Sequence, residues 1–180
     1  MVKRLTYTIL LLTLFSITLN VSAKPSKKIS LLKISPEGGF TYNAALCITQ
    51  DHLGYLWFGT NNGLFRYDSK NIVRYQYSED NINSIPSNRI NSLFIDDQNK
   101  LWIGTENGLC RYNRKIDRFK RVFDISQGNN SLGKDIRNII QDSSGYLWVH
   151  DENGVAKIDT AKKEVTYLDI YGDEEIISCL

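Results

Sequence analysis

Three pairs of polar side chains return along the chain at nearly constant intervals: Asn61-Asn62, Glu106-Asn107 and Glu152-Asn153, followed by Gly63, Gly108 and Gly154. Amides and carboxylates presented this way can donate to and accept from the hydroxyls of a sugar-like ligand. They are also ordinary turn formers, because short polar side chains bond nearby backbone. Nothing beside them supplies acid–base or nucleophilic chemistry. His52 has no paired carboxylate motif that would make it a base, and no two carboxylates stand as a glycosidase pair. A second recurring set, Asp51, Asp96 and Asp142, stands three residues ahead of Gly54, Asn99 and Gly145. Those three are types that tolerate positive φ, so each aspartate is expected to brace a turn through backbone amides ahead of it. Cys47, Cys110 and Cys179 are odd in number and at no metal-ligand spacing. Cys47 and Cys110 are therefore expected to be buried free thiols, and no catalytic residue, metal or cofactor is expected.

The elements that must carry these residues follow from the period. Leu56 to Leu64 returns as Leu101 to Leu109 and again, altered, as Leu147 to Val155; Trp57, Trp102 and Trp148 lie 45 and 46 residues apart. A period of this size with tryptophan and glycine markers signals a β-propeller blade. Each repeat reads as four strands. The first is apolar: Ala45 to Gln50, Ile90 to Ile95 and Ile136 to Gln141. The second carries the tryptophan and runs into Asn-Gly, which predicts a tight two-residue hairpin at Asn62-Gly63, Asn107-Gly108 and Asn153-Gly154. The third alternates apolar residues with Arg66, Arg111 or Lys157, and a more variable fourth follows near Ile72 to Tyr77, Phe119 to Phe123 and Val165 to Ile170. The tryptophans are expected to pack between the faces of neighbouring blades. Asn83-Ser84-Ile85-Pro86 and Asn130-Ser131-Leu132-Gly133 are matching linkers. Because linkers and the loops between strands two and three share one face of a propeller, Asn83, Ser84, Asn130 and Ser131 are expected near the six polar loop residues.

The fold class is thus all-β: three four-stranded antiparallel propeller blades plus the first strand of a fourth, with the ring incomplete. Residues 1–23 read as a signal peptide, with Lys3 and Arg4 ahead of an apolar run and Val21-Ser22-Ala23 at the cleavage site. Residues 24–39 form a lead-in, and 40–180 a partial propeller with repeats at about 40–83, 84–130 and 131–172 and a stub at 173–180. Ile177-Ser178-Cys179-Leu180 resembles the opening strand of another repeat, which predicts a longer parent chain. Without the leader's Lys3 and Arg4, 20 Lys and Arg face 20 Asp and Glu, which argues against nucleic-acid binding. The basic run Arg111, Arg114, Lys115, Arg118, Lys120 and Arg121 is expected to be a solvated strand and turn.

The motif from Asp51 to Tyr67, repeated from Asp96 to Tyr112 with Asn99 in the first glycine place, resembles the two-component regulator propeller repeat. The two linkers resemble that family's Asn-Ser-Leu linker. The resemblance implies the periplasmic sensor region of a hybrid two-component histidine kinase, on the outer side of the inner membrane of a Gram-negative bacterium. It also implies carbohydrate sensing, an oligosaccharide ligand, signalling to gene regulation, and as partners the remaining blades and signalling domains of a longer chain, with a possible homodimer. No kinase activity is expected from this segment. The alternatives are a propeller scaffold for protein–protein interaction and a propeller glycosidase or lyase fragment. The third repeat departs from the pattern: His150-Asp151 replaces Gly-Thr, and Ile158 stands where Tyr67 and Tyr112 stood.

Overall fold

Period-two alternation broken by four polar turns makes each repeat a meander. A computed structural model describes residues 45–122 and 132–168. The leader, the lead-in, Asn130, Ser131, Cys179 and the expected fourth-repeat strand lie outside the described residues. Blade 1 comprises β1 (Cys47–Gln50), β2 (Leu56–Thr60), β3 (Gly63–Tyr67) and β4 (Ile72–Tyr75). Blade 2 comprises β5 (Ile90–Ile95), β6 (Leu101–Thr105), β7 (Gly108–Asn113) and β8 (Arg118–Val122). Blade 3 comprises β9 (Asn138–Gln141), β10 (Leu147–Asp151), β11 (Gly154–Asp159) and β12 (Glu164–Tyr167). Within each blade the strands pair antiparallel in chain order. The described residues contain no helix. β1 lies beside β5 and β5 beside β9, so the first strands are the innermost and blade 2 sits between its neighbours.

The first turn of every blade is held by its aspartate. Asp51 Oδ1 accepts the amides of Leu53 and Tyr55 at 3.0 and 3.1 Å; Asp96 and Asp142 repeat both bonds on their own turns. Gly54, Asn99 and Gly145 take positive φ, as the turn requires. The second carboxylate oxygen accepts an indole N–H: Trp57 to Asp51 at 2.9 Å, Trp102 to Asp96 at 2.8 Å and Trp148 to Asp142 at 2.8 Å. One carboxylate thus fixes both the turn and the ring, and satisfies the polar atom that a buried indole carries.

The second hairpin differs from the Asn-Gly turn that the sequence predicts. The loop residues are Asn61-Asn62, Glu106-Asn107 and Glu152-Asn153, with negative φ, while Gly63, Gly108 and Gly154 open the third strand at positive φ. A side chain one position earlier decides the register. Thr60 Oγ1 accepts the amide of Asn62 and donates to the carbonyl of Gly63, both at 2.9 Å, and Thr105 does the same. Asp151 takes over in blade 3, accepting the Asn153 amide at 2.8 Å. The polar pair followed by a positive-φ glycine is a common alternative to a mirror-image turn.

Blades dock through glycine. A Cβ on Gly59 would lie 2.7 Å from Ile90 Cγ2, and one on Gly104 would lie 2.7 Å from Ile136 Cγ2. The first strand of each following blade therefore seats an isoleucine where the preceding blade has no side chain. Beside these glycines Trp57 and Trp102 are fully buried, whereas Trp148, with no described blade beyond it, is only half-buried. Packing between blades is what buries the ring. A cation paired across the ladder covers each indole: Arg66 over Trp57 at 5.7 Å, Arg111 over Trp102 at 5.6 Å and Lys157 over Trp148 at 5.7 Å.

The two seams differ in chemistry. Between blades 1 and 2, Trp57, Leu64, Ile85, Ile90, Tyr112 and Phe119 are joined by a charged network. Arg114 Nη2 donates to Asp51 Oδ2 at 2.6 Å, and the Asp51 side chain is fully buried. Asp117 accepts the hydroxyls of Tyr75 and Tyr112 at 2.7 and 2.6 Å, and Arg66 donates to the Tyr112 oxygen at 2.7 Å. Between blades 2 and 3 the equivalents of Tyr75, Tyr112 and Asp117 are Val122, Ile158 and Lys163, and the seam is aliphatic: Leu132, Ile136, Ile139, Val149, Ile158 and Val165. The basic run is thus not wholly solvated, since Arg111 covers Trp102 and Arg114 crosses to Asp51. Cys110 is buried and Cys47 half-buried, both as free thiols. Burial raises both thiols, Cys47 to about 11.

Candidate functional site

The six polar loop residues and the blade linkers meet on one rim. The amide of Gly63 donates to the carbonyl of Asn88 at 2.7 Å, that of Gly108 to Lys134 at 2.7 Å, and that of Glu106 to Arg89 at 3.2 Å. The hairpins of blades 1 and 2 are therefore each stitched to the segment entering the next blade, and that of blade 2 also to the segment entering its own. The six residues are not equally available. Asn107 Nδ2 reaches the Pro86 carbonyl at 3.5 Å. Glu152 spends both carboxylate oxygens on the amides of Asp135 and Lys134, the latter at 2.8 Å. Those amides, Asp135 first, hold its carboxyl below the usual range. Asn153 lies beside Gly133, where a Cβ would come 2.8 Å from its Nδ2. The side chains of Asn61, Asn62 and Glu106 are exposed and make no hydrogen bond to another described residue. Asn83 is exposed and Ser84 buried, its hydroxyl bonded to the Ser78 carbonyl at 3.0 Å.

Inside this rim, where the first strands begin, a cavity of about 310 Å³ is lined by Leu46, Arg89, Asn91, Asp135 and Arg137. Four of these form one hydrogen-bonded array across blades 2 and 3. Arg89 Nε donates to Asn91 Oδ1 at 3.1 Å, Asn91 Nδ2 to Asp135 Oδ1 at 2.8 Å, and Arg137 Nε to Asp135 Oδ2 at 3.0 Å. The backbone explains the placement. Ile90 and Ile136 are pinned on the preceding blade's glycine, so the residues flanking each isoleucine are turned toward the mouth. A register shift between Ile90 and Ser92 leaves Asn91 outside the ladder and aids this.

None of these four was picked out from the sequence as a site residue, although a signal existed. Arg89 and Asp135 occupy matched repeat positions, as do Asn91 and Arg137, and within each pair the residue types differ. The departures noted in the third repeat do not gather at the cavity. Asp151 is a buried turn brace that also accepts the amide of Gly133 at 2.7 Å, His150 is exposed on the face of blade 3, and Ile158 packs in the seam. His52 is exposed on its turn. Among the described residues, no three His, Cys, Asp or Glu are grouped to hold a metal.

Residues 39–62 and 84–107 match the family described as two component regulator propeller. No curated protein matches the chain. Among solved structures, the extracellular domain of a hybrid two component system from B. thetaiotaomicron is similar at a TM-score of 0.67 and 29% identity, over 76% of this chain and 20% of that one. The extracellular domain of a one component system from the same organism is similar at a TM-score of 0.44 and 23% identity, over 73% of this chain and 26% of that one. The chain therefore spans about a fifth of the length of the first of these relatives.

Proposed function

We propose that the chain is part of the exported, ligand-sensing propeller of a hybrid two-component sensor, and that its ligand is an oligosaccharide. The observation that carries the reading is the likeness, at 29% identity, to an extracellular domain of such a system, joined to matched repeats of that family. The exposed amide and carboxylate side chains of Asn61, Asn62 and Glu106 on the rim support it, being groups that pair with sugar hydroxyls. Recognition, not catalysis, is the role: the ligand biases the packing of blades, and further blades and signalling domains of a longer chain convert that bias into gene regulation. The exported sensor works on the periplasmic side of the inner membrane, and a homodimer is the expected signalling unit.

The test is a melting screen of the full chain against oligosaccharides of differing composition. A ligand present at a hundredfold its Kd adds about 2.7 kcal/mol to stability, which raises Tm by about 5 °C or more in a domain of this size. A panel in which no saccharide moves Tm sinks the reading in favour of a protein-binding scaffold.

A further inference from the structure

Two arginines at the cavity mouth are held in a way that leaves their recognition edges free. Arg89 is tethered through Nε to Asn91 and Arg137 through Nε to Asp135. No described residue accepts a hydrogen bond from the terminal nitrogens of either guanidinium. Because Asn91 and Asp135 bond to each other at 2.8 Å, the two tethers form one connected array. Among the residues lining the cavity, two guanidiniums accompany one carboxylate, and that carboxylate is already bonded to Asn91 and Arg137. Two further carboxylates stand on the surrounding rim, Glu152, bonded to backbone amides, and Glu106, whose own amide bonds to the Arg89 carbonyl. A planar guanidinium fork with a free edge fits a carboxylate or a sulfate in bidentate fashion, and a pre-ordered side chain loses less freedom on binding.

We infer that the cavity mouth binds an acidic saccharide, one whose carboxylate or sulfate group is received by Arg89 and Arg137 while a neighbouring hydroxyl meets Asn91. This rests on the oligosaccharide-sensing reading and narrows it to one chemical class. Leu46, 45% exposed at the same cavity, offers the apolar wall against which a sugar ring's C–H face can lie.

Calorimetric titration of the full chain tests this with four probes: a diuronide, a sulfated disaccharide, a neutral disaccharide, and inorganic sulfate. The expected result is binding of one or both acidic disaccharides at least tenfold tighter than the neutral one and inorganic sulfate. Arg89→Gln and Arg137→Gln should each weaken that binding at least tenfold, with Tm of the free chain unchanged, and Lys162→Gln, remote from the cavity, should leave it intact. Preference for the diuronide identifies a carboxylate, and preference for the sulfated sugar a sulfate; either supports the inference. A neutral disaccharide bound as tightly, with affinity unmoved in both arginine variants, overturns the acidic class and leaves saccharide sensing standing. Inorganic sulfate bound as tightly as either disaccharide also overturns it, because the site would then be an anion site alone. No binding of any sugar, acidic or neutral, defeats this inference and the broader reading together.

Discussion

The seam between blades 1 and 2 and the seam between blades 2 and 3 are cut from the same repeat, with the same tryptophan, the same docking glycine and the same covering arginine. They are finished differently. The first crosses from blade to blade with Arg114 to Asp51 and with a carboxylate, Asp117, that gathers two tyrosine hydroxyls. The second replaces that set with Val122, Ile158 and Lys163 and closes with aliphatic contacts. The three exchanges belong together: an aspartate facing Val122 and Ile158 would lose both hydroxyl donors. A buried ion pair adds little net stability over a well-packed apolar pair, yet breaking it is costly. The first seam therefore depends on every member of its network, and the second on shape.

That contrast can be broken most directly at the equivalent aspartates. Asp51→Ala removes the acceptor for one turn and one indole and also strands Arg114, so a loss of about 3 kcal/mol is expected, reduced from a fully buried case because Arg114 is 32% exposed. Asp96→Ala removes turn and indole acceptors without stranding a cation, and about 2 kcal/mol is expected. Denaturant melts giving equal losses would show that the cross-blade ion pair is idle.

Next come the docking glycines. A Cβ at Gly104 would stand 3.0 Å from the backbone oxygen of Ile136, whereas the atoms nearest a Cβ at Gly59 are the side-chain atoms Cys47 Sγ and Ile90 Cγ2 and Cβ. Gly104→Ala should cost about 2 kcal/mol and Gly59→Ala about 1 kcal/mol. The reverse order in thermal melts would mean that the first seam is the tighter one.

Acid should separate the seams further. Burial raises the carboxyl of Asp51, but hydrogen bonds from Arg114 and Trp57 and the Arg114 charge outweigh it and leave it below the ordinary value. Asp117 is likewise raised by burial and then carried below that value by Tyr112, Tyr75 and Arg66. A lowered carboxyl adds stability that is complete above the unfolded value, 3.8 here, and vanishes as pH falls through the folded one. Below about pH 4 the first seam should loosen, by about 1 kcal/mol or more once solvent screening at the half-exposed Asp117 is allowed for. In single-tryptophan variants, Trp57 emission should shift red at higher pH than Trp102 emission. Coincident transitions would erase the distinction.

The smallest effect lies in the second seam. Ser92 Oγ is buried without a hydrogen-bond partner among the described residues, at the position of Cys47 in blade 1. Ser92→Ala should leave stability unchanged or raise it by about 1 kcal/mol, because an unpaired buried hydroxyl is a cost. A clear loss in Tm would show that the hydroxyl has a bound water or another partner.

Much of this architecture was legible in the residues, because period-two alternation and turn chemistry are local. The positive φ at Gly54, Asn99 and Gly145 and the bracing by Asp51, Asp96 and Asp142 follow from a few adjacent positions. The hairpin register was misread because Asn-Gly is a strong signal by itself, while the deciding atom, Thr60 Oγ1 or Asp151 Oδ1, sits just upstream. The indole bond to Asp51 depends on where the second carboxylate oxygen points once the turn has closed, although the unvarying spacing from aspartate to tryptophan hinted at it. The array of Arg89, Asn91, Asp135 and Arg137 was hidden for a deeper reason. Its members come from two blades, and only seating Ile90 and Ile136 on the preceding glycines turns them to a common mouth.

The stitch from the hairpins of blades 1 and 2 to the segment that follows has a directional consequence. Gly63 finds its acceptor in Asn88 and Gly108 finds its own in Lys134, so a blade's loop is finished by residues that come later in the chain. As a polypeptide emerges from its N-terminus, each blade waits with an unpaired amide and an uncovered tryptophan until the next linker arrives. Folding that follows the chain from its N-terminus is therefore expected to complete each blade one repeat late, which limited proteolysis of C-terminally shortened chains would show as cleavage confined to the last blade.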